Sequence, residues 1–250
     1  DGYHSVTDAL NNVVGMVGVF FAFQPKDKKH PYGHKKFETM TSLFIGGVLI
    51  ALAFNLLQGA VTRILTPQVP NVSFASLIVM ILTALVNVFV AFYEKKNGRL
   101  LNSDFLVADA THTFSDVFVS ISVIGTLIAV KLGLFWTDTV VSALIALLIL
   151  KAAFDIIKNC SNVLCDAMVL DPSKINEIVC GFDKVFSCHE IRSHGRFDDI
   201  QVDLHVVASQ SLNLAEVHNL THEIEKAIIG VFPGVTFVAV HVEPIESSPV

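Results

Sequence analysis

Five predominantly apolar stretches, about residues 8–23, 39–65, 74–93, 105–130 and 138–157, approach the length of roughly 20 residues that a helix needs to cross a bilayer. Backbone N–H and C=O groups in hydrocarbon must find partners within their own segment, so stretches of this kind fold as helices. The composition agrees, with 52% hydrophobic residues, 16% charged residues and a mean hydropathy of +0.61. The charge is unevenly spread: residues 1–165 hold 12 Lys/Arg against 10 Asp/Glu, and residues 166–250 hold 5 against 13. This predicts a transmembrane domain over 1–165 and a soluble, acidic domain over 166–250. An acidic tail disfavours nucleic acid and anionic lipid as partners and favours cations.

Loop charges orient the helices. Lys26, Lys28, Lys29, Lys35 and Lys36 follow the first stretch, and Lys95, Lys96 and Arg99 follow the third, whereas the opposite side has only Arg63 and Lys131. The positive-inside rule places the two Lys-rich loops, and with them the C-terminal domain after Lys151 and Lys158, in the cytoplasm. From Asp171-Pro172 onward the pattern becomes that of a small α+β domain. A helix is expected over Ser173–Phe182 with Ser173 as N-cap, strands over Val185–Ser193 and Ile200–Val207, an amphipathic helix over Leu214–Val231, and a last strand over Val235–Val242. The order α-β-β-α-β fits a small open sheet with helices on one face.

Within the apolar stretches, the first taken with the turn that carries His4, the pattern His-x-x-x-Asp occurs twice, as His4/Asp8 and His112/Asp116. Residues four apart share one face of a helix, so each pair offers an imidazole nitrogen and a carboxylate oxygen to one point. Two such helices facing each other supply four ligands of a kind that suits a divalent transition metal, zinc first. A carboxylate at the centre of a membrane helix is unfavourable by roughly 2.5–3.5 kcal/mol on insertion scales, so its presence points to an ion pathway. Asp109 lies on the same broad face as His112, where it reads either as an acceptor for the imidazole or as a helix-start carboxylate. The loop Asp27-Lys-Lys-His30-Pro-Tyr-Gly-His34 offers a second ligand set, because Pro31 and Gly33 present Asp27, His30 and His34 from a turn.

These segments, His4-Ser-Val-Thr-Asp8, His30-Pro-Tyr-Gly-His34-Lys-Lys-Phe-Glu38, Ala108-Asp-Ala-Thr-His112-Thr-Phe-Ser-Asp116 and Val240-His-Val-Glu-Pro244, resemble those of the cation diffusion facilitator family. The resemblance implies six spans, a cytoplasmic ferredoxin-like domain and a homodimer. With the first residues lacking an initiator Met, it leads to the expectation that the family's first span precedes Asp1 and that residues 1–23 correspond to the second. It implies that His4, Asp8, His112 and Asp116 are the transport site and that Asp27, His30 and His34 match the family's loop site. In the tail it implies zinc ligands between subunits at His189, Asp203, His218, His241 and Glu243. Asp203 and Glu243 depart from the best-known pattern, which can have His and Asp at those places. His194, His205 and His222 have no such match and read as surface histidines. Cys188 points to the opposite face of its strand from His189.

Cys160, Cys165, Cys180 and Cys188 contain no C-x-x-C pair, and free thiols in a reducing compartment are expected. Two imidazoles in the membrane set favour zinc, with cobalt, iron(II) and cadmium behind, whereas an all-carboxylate set would suit manganese. Neutral imidazole binds metal and protonated imidazole releases it. The sequence therefore predicts a secondary transporter in the cell (inner) membrane that exports zinc from the cytoplasm in exchange for protons. A membrane-embedded zinc enzyme would want an open metal position and a general base, and no H-E-x-x-H is present. A membrane-anchored metal sensor is the other alternative.

Overall fold

The computed structural model describes the backbone of residues 2–65, 74–131 and 136–245 and the side chains of residues 12–62, 77–125 and 139–245. The chain divides into two compact units, Asp1–Ser161 and Asn162–Val250. The first is helical: α1 (Gly2–Ala22), α2 (Lys36–Leu65), α3 (Phe74–Leu100), α4 (Asp104–Lys131) and α5 (Trp136–Leu164). Among the described residues, Lys36–Thr62, Leu77–Leu100 and Thr139–Leu164 are long and apolar enough to cross a membrane, and Asn12–Ala22 is a shorter apolar helix. In α4 the apolar run is diluted by Asp109, His112 and Asp116. Three of its hydroxyls are satisfied inside the helix, with Thr111 donating to the Val107 carbonyl (2.8 Å), Ser115 to Thr111 (2.9 Å) and Ser120 to Asp116 (2.9 Å), so these three add no orphaned donors at membrane depth.

The helices pack through small residues. Gly18 of α1 lies against the Thr41 side chain of α2, and Gly46 of α2 against Ile157 of α5, where a Cβ would come within 2.9 Å of Cγ1. Such positions let backbones approach closely where lipid supplies no hydrophobic drive. Buried Ile45, Leu49 and Ala53 of α2 pack with Phe105 and Ala108 of α4 and with Ile145, Ile149 and Ala153 of α5. The Gly18–Thr41 and Phe21–Phe37 contacts, the rings 5.8 Å apart, run α1 antiparallel to α2. Glu38 sits at the start of α4, while Leu56 shares a small cavity with Val119 and Ser122 farther along it, so α2 and α4 are parallel. The outward side chains of α3, among them Val79, Leu82, Val86 and Phe89, are exposed apolar groups suited to lipid.

Among the boundaries that differ from the sequence reading, two have a clear local cause. Helix α3 continues past Tyr93 to Leu100, because Glu94, Lys95, Lys96 and Asn97 contain no breaker; the chain turns only at Asn102, with φ of 51°. In the second unit α6 is Pro172–Val179, and its N-cap is Asp171 rather than Ser173. Proline takes the first helical position, where a missing N–H costs nothing. That leaves Asp171 to accept the Ser173 N–H at 3.0 Å.

The remaining elements are β1 (Val185–Arg196), β2 (Asp199–Ala208), α7 (Leu214–Val231) and β3 (Val235–Pro244). The sheet order is β1-β2-β3, with β1 antiparallel and β3 parallel to β2. The β1–β2 hairpin needs Gly195, whose φ of 114° suits glycine. A capping box starts α7, Asn213 accepting from Glu216 N–H (3.0 Å) and Glu216 from Asn213 N–H (2.9 Å). Alternation sends Val202, Leu204 and Val206 to one face, where Ile175, Val179, Leu220, Ile224 and Ile228 of the two helices cover them. Ile224 is fully buried. Ile224→Ala is expected to lower the tail's stability by about 2–5 kcal/mol, read as faster hydrogen exchange across β2 and α7 in the whole protein.

Candidate metal centres

In the membrane pair on α4, His112 is buried and Asp116 half-buried. His112 is 6% exposed, neighbouring Ser115 is buried, and both His112 Nδ1 and Asp116 Oδ1 are buried atoms. Asp109, one turn before His112, interacts with it electrostatically. Thr113 donates to Glu94 of α3 at 3.4 Å, a membrane-side acid that sequence reasoning left aside. His4 and Asp8 lie along α1, and their side chains fall outside the described residues. Backbone placement still relates the two pairs. Gly15 of α1 lies against the Phe105 ring of α4. The helices are antiparallel, so Asp8 and His112 each lie seven residues from that contact, about 10 Å along the axis at 1.5 Å per residue. By the same count His4 and Asp116 each lie eleven residues away, about 16 Å along the axis. Imidazole of one helix is thus level with carboxylate of the other.

The loop cluster is preformed. Asp27 Oδ1 accepts the backbone N–H of Lys29 (2.8 Å) and of His30 (2.6 Å), an Asx-type turn that fixes the carboxylate. Nδ1 of His30 lies 3.2 Å from Asp27 Oδ1, and Nε2 of His34 lies 3.0 Å from His30 Nδ1 and 3.5 Å from Asp27 Oδ2. All three ligand atoms therefore fall within 4.8 Å of one another. Gly33, with φ of 102°, brings His34 back over His30, and its N–H donates to the His30 carbonyl at 3.0 Å. His34 is buried and its ring stacks on Phe37 (centroids 5.9 Å apart), which orients it. The His30 N–H bond, above all, holds the Asp27 carboxyl below its ordinary 3.8, so Asp27 is anionic at neutral pH.

The third cluster lies on the sheet face that the helices leave open. Register places His189 opposite His205, and His205 opposite His241, so three imidazoles form a row across the strands. Ring centroids are 5.4 Å apart for His189–His205 and 4.7 Å for His205–His241. Glu243, two residues along β3, reaches back to all three: 2.8 Å to His205 Nδ1, 3.4 Å to His189 Nε2 and 3.7 Å to His241 Nε2. His189, His205 and Glu243 offer three ligand atoms within 4.8 Å. The hydrogen bond from His205 is the main reason the Glu243 carboxyl lies below its ordinary 4.5.

The cluster differs from the set expected from sequence. His205, read there as a surface histidine, is central, whereas Asp203 pairs with Arg192 in the register. A β-bulge between His189 and Arg192, with Glu190 at φ of 48°, shifts the pairing so that His189 meets His205. In the sequence, period-two alternation alone hints at it, by putting Asp203 and His205 on one face. His218 is exposed on α7, whose apolar side covers the opposite face of the sheet, so the protomer does not bring it to this cluster. It lies beside His222 (centroids 4.4 Å), which bonds Glu225 at 2.8 Å. Cys188 packs against the helix-side core, and burial pushes its thiol up to about 11, which keeps it from acting as a thiolate ligand.

A family model described as the cation efflux transmembrane domain matches residues 1–165, and one described as the cation efflux protein cytoplasmic domain matches residues 170–245. The uncharacterised transporter MJ0449 of Methanocaldococcus jannaschii is 34% identical over 88% of this chain and 78% of its own. The manganese efflux system protein MneS of Bacillus subtilis is 29% identical over 98% of this chain and 85% of its own. The cadmium, cobalt and zinc/H(+)-K(+) antiporter of the same organism is 21% identical over 97% and 78%. Among solved structures, the cytosolic domain of a cation diffusion facilitator family protein covers 30% of this chain and 88% of its own, at 20% identity and a TM-score of 0.28.

Proposed function

We propose that this chain, which belongs to the cation efflux, or cation diffusion facilitator, family, exports a divalent transition metal, zinc before others, from the cytoplasm in exchange for protons. Members of the family are metal transporters rather than enzymes, and this one is a multi-pass membrane protein with a cytoplasmic domain. The cell (inner) membrane is the setting we propose. If each helix crosses once, the cytoplasmic tail puts the start of α4 and the start of α2 on the inner side, as the lysine loops do.

The observation that carries the proposal is the level pairing of the two His-x-x-x-Asp helices, anchored at Gly15 and Phe105. Two nitrogens and two oxygens form a set that zinc fills tetrahedrally, and protons compete for the same imidazoles. Low pH outside would empty the site there, and neutral cytosol would refill it. Zinc flux in proteoliposomes under an imposed pH gradient tests this directly. No flux, or flux indifferent to the gradient, would leave a membrane-anchored sensor as the better description.

Ligand softness sets the choice of metal. His112→Asp makes the site harder, and the ratio of manganese to zinc flux is expected to rise about tenfold or more; an unchanged ratio would separate metal choice from this site. We propose that the loop and sheet-face clusters hold further metal ions, with His218 and Asp203 able to join the latter only from a second protomer or after rearrangement. His34→Ala is expected to remove one bound metal and to slow flux several-fold. Metal stoichiometry by elemental analysis reads the first effect.

A further inference from the structure

Glu38 is not a candidate ligand in any of the three clusters, yet it is 6% exposed in the first turn of α2, four residues after His34. Its Oε1 accepts the Ser103 hydroxyl at 2.5 Å and the Phe105 backbone N–H at 3.3 Å. Ser103 in turn bonds the first turn of α4, its Oγ accepting Leu106 N–H (3.2 Å) and its carbonyl Val107 N–H (3.2 Å). The next residue repeats the tie, Thr39 Oγ1 donating to Asp104 at 3.4 Å. One carboxylate thus serves two helix starts at once, capping α4 while sitting in the favourable field at the beginning of α2. Phe105, which Glu38 holds by its N–H, is also the residue wedged against Gly15 of α1.

We infer that Glu38 is a positioning residue for the membrane ligands and the link through which the loop cluster reaches them. The inference rests on the transport reading given above. His112 and Asp116 lie on the helix that Glu38 fixes, with no irregular segment between Phe105 and His112. On the other side, His34 joins α2 through the bond from Phe37 N–H to its carbonyl (2.9 Å), so the turn that carries the loop ligands runs into the helix that carries Glu38. A change in the loop therefore moves the first turn of α2, and with it the height of α4.

The test is zinc flux by the full chain in proteoliposomes, with KM and maximal rate measured separately, for Glu38→Ala, Glu38→Gln, His34→Ala and the Glu38→Ala/His34→Ala double variant. Glutamine keeps the acceptor oxygen and is expected to stay within about twofold of the parent. Alanine is expected to raise KM at least fivefold in protein that remains folded by size exclusion. Equal KM for all three Glu38 side chains, with a loss only of folded yield, would overturn positioning in favour of a structural role. In the double variant the His34→Ala effect on rate is expected to shrink below twofold; effects that simply multiply would overturn the link. Unaltered flux in Asp116→Ala would count against the transport reading instead, and unaltered bound metal in His34→Ala against the loop site, so each failure is told apart.

Discussion

Alanine at Asp116 is expected to reduce zinc flux by at least about 100-fold while leaving the metal held at the loop and tail in place. Removing a partner that merely supports a ligand typically costs 10–100-fold in metal affinity or activity, and Asp116 is proposed as a direct ligand. Its placement strengthens the case: the residue is half-buried with Oδ1 shielded, and a carboxylate within a membrane helix is expensive to keep away from a cation. Alanine itself is a good helix former, so α4 should persist. Asp109→Ala is the matched comparison: it lies on the same helix and interacts with His112, but falls one turn short of the proposed site. Its effect should be the smaller of the two. Flux within twofold of the parent for Asp116→Ala, in protein with unchanged helicity, would sink the transport site as drawn.

The broad plan was legible because two physical periods dominate it. Hydrocarbon admits only helices and closed barrels, and long apolar runs without period-two alternation select the helix, so the stretches announced α1 to α5. The tail's alternation at Ile200–Val207 announced β2 in the same way, and its order α-β-β-α-β is the one observed. Local turn chemistry was legible too: Asp27, His30 and His34 are close in sequence, with Pro31 and Gly33 to bend the chain, and the structure brings them together. What stayed hidden depends on long-range register. Nothing local to His205 says that it faces His189 and His241, since a single bulged residue at Glu190 decides the pairing. Glu38 was hidden for a similar reason, its partners being more than sixty residues away. Proline at position 172 shows a smaller version, moving the cap to Asp171.

The histidine row yields the other large effect. His205→Ala is expected to abolish metal binding at the sheet face, whereas Asp203→Ala, two residues away on the same strand face, is expected to leave it within about threefold of the parent. His205 is central by geometry: it stands between two imidazoles and holds Glu243 by a 2.8 Å bond. Deleting it removes one ligand and frees the carboxylate that bridges the others. Asp203 instead faces Arg192, a cation, across the strand pair. Acid should empty the parent site before it disturbs the fold. Imidazoles release metal when protonated. Glu243, held below 4.5 by its hydrogen bond, contributes above that value and loses its contribution only as pH falls through the depressed one. Elemental analysis of the full chain, in a background with the loop site removed by His34→Ala and the membrane site by Asp116→Ala, counts the tail metal at pH 7.5 and 5.5. Circular dichroism should show the same secondary structure at both. Retention of metal by His205→Ala, or its loss in Asp203→Ala, would restore Asp203 to the ligand set that the sequence had suggested.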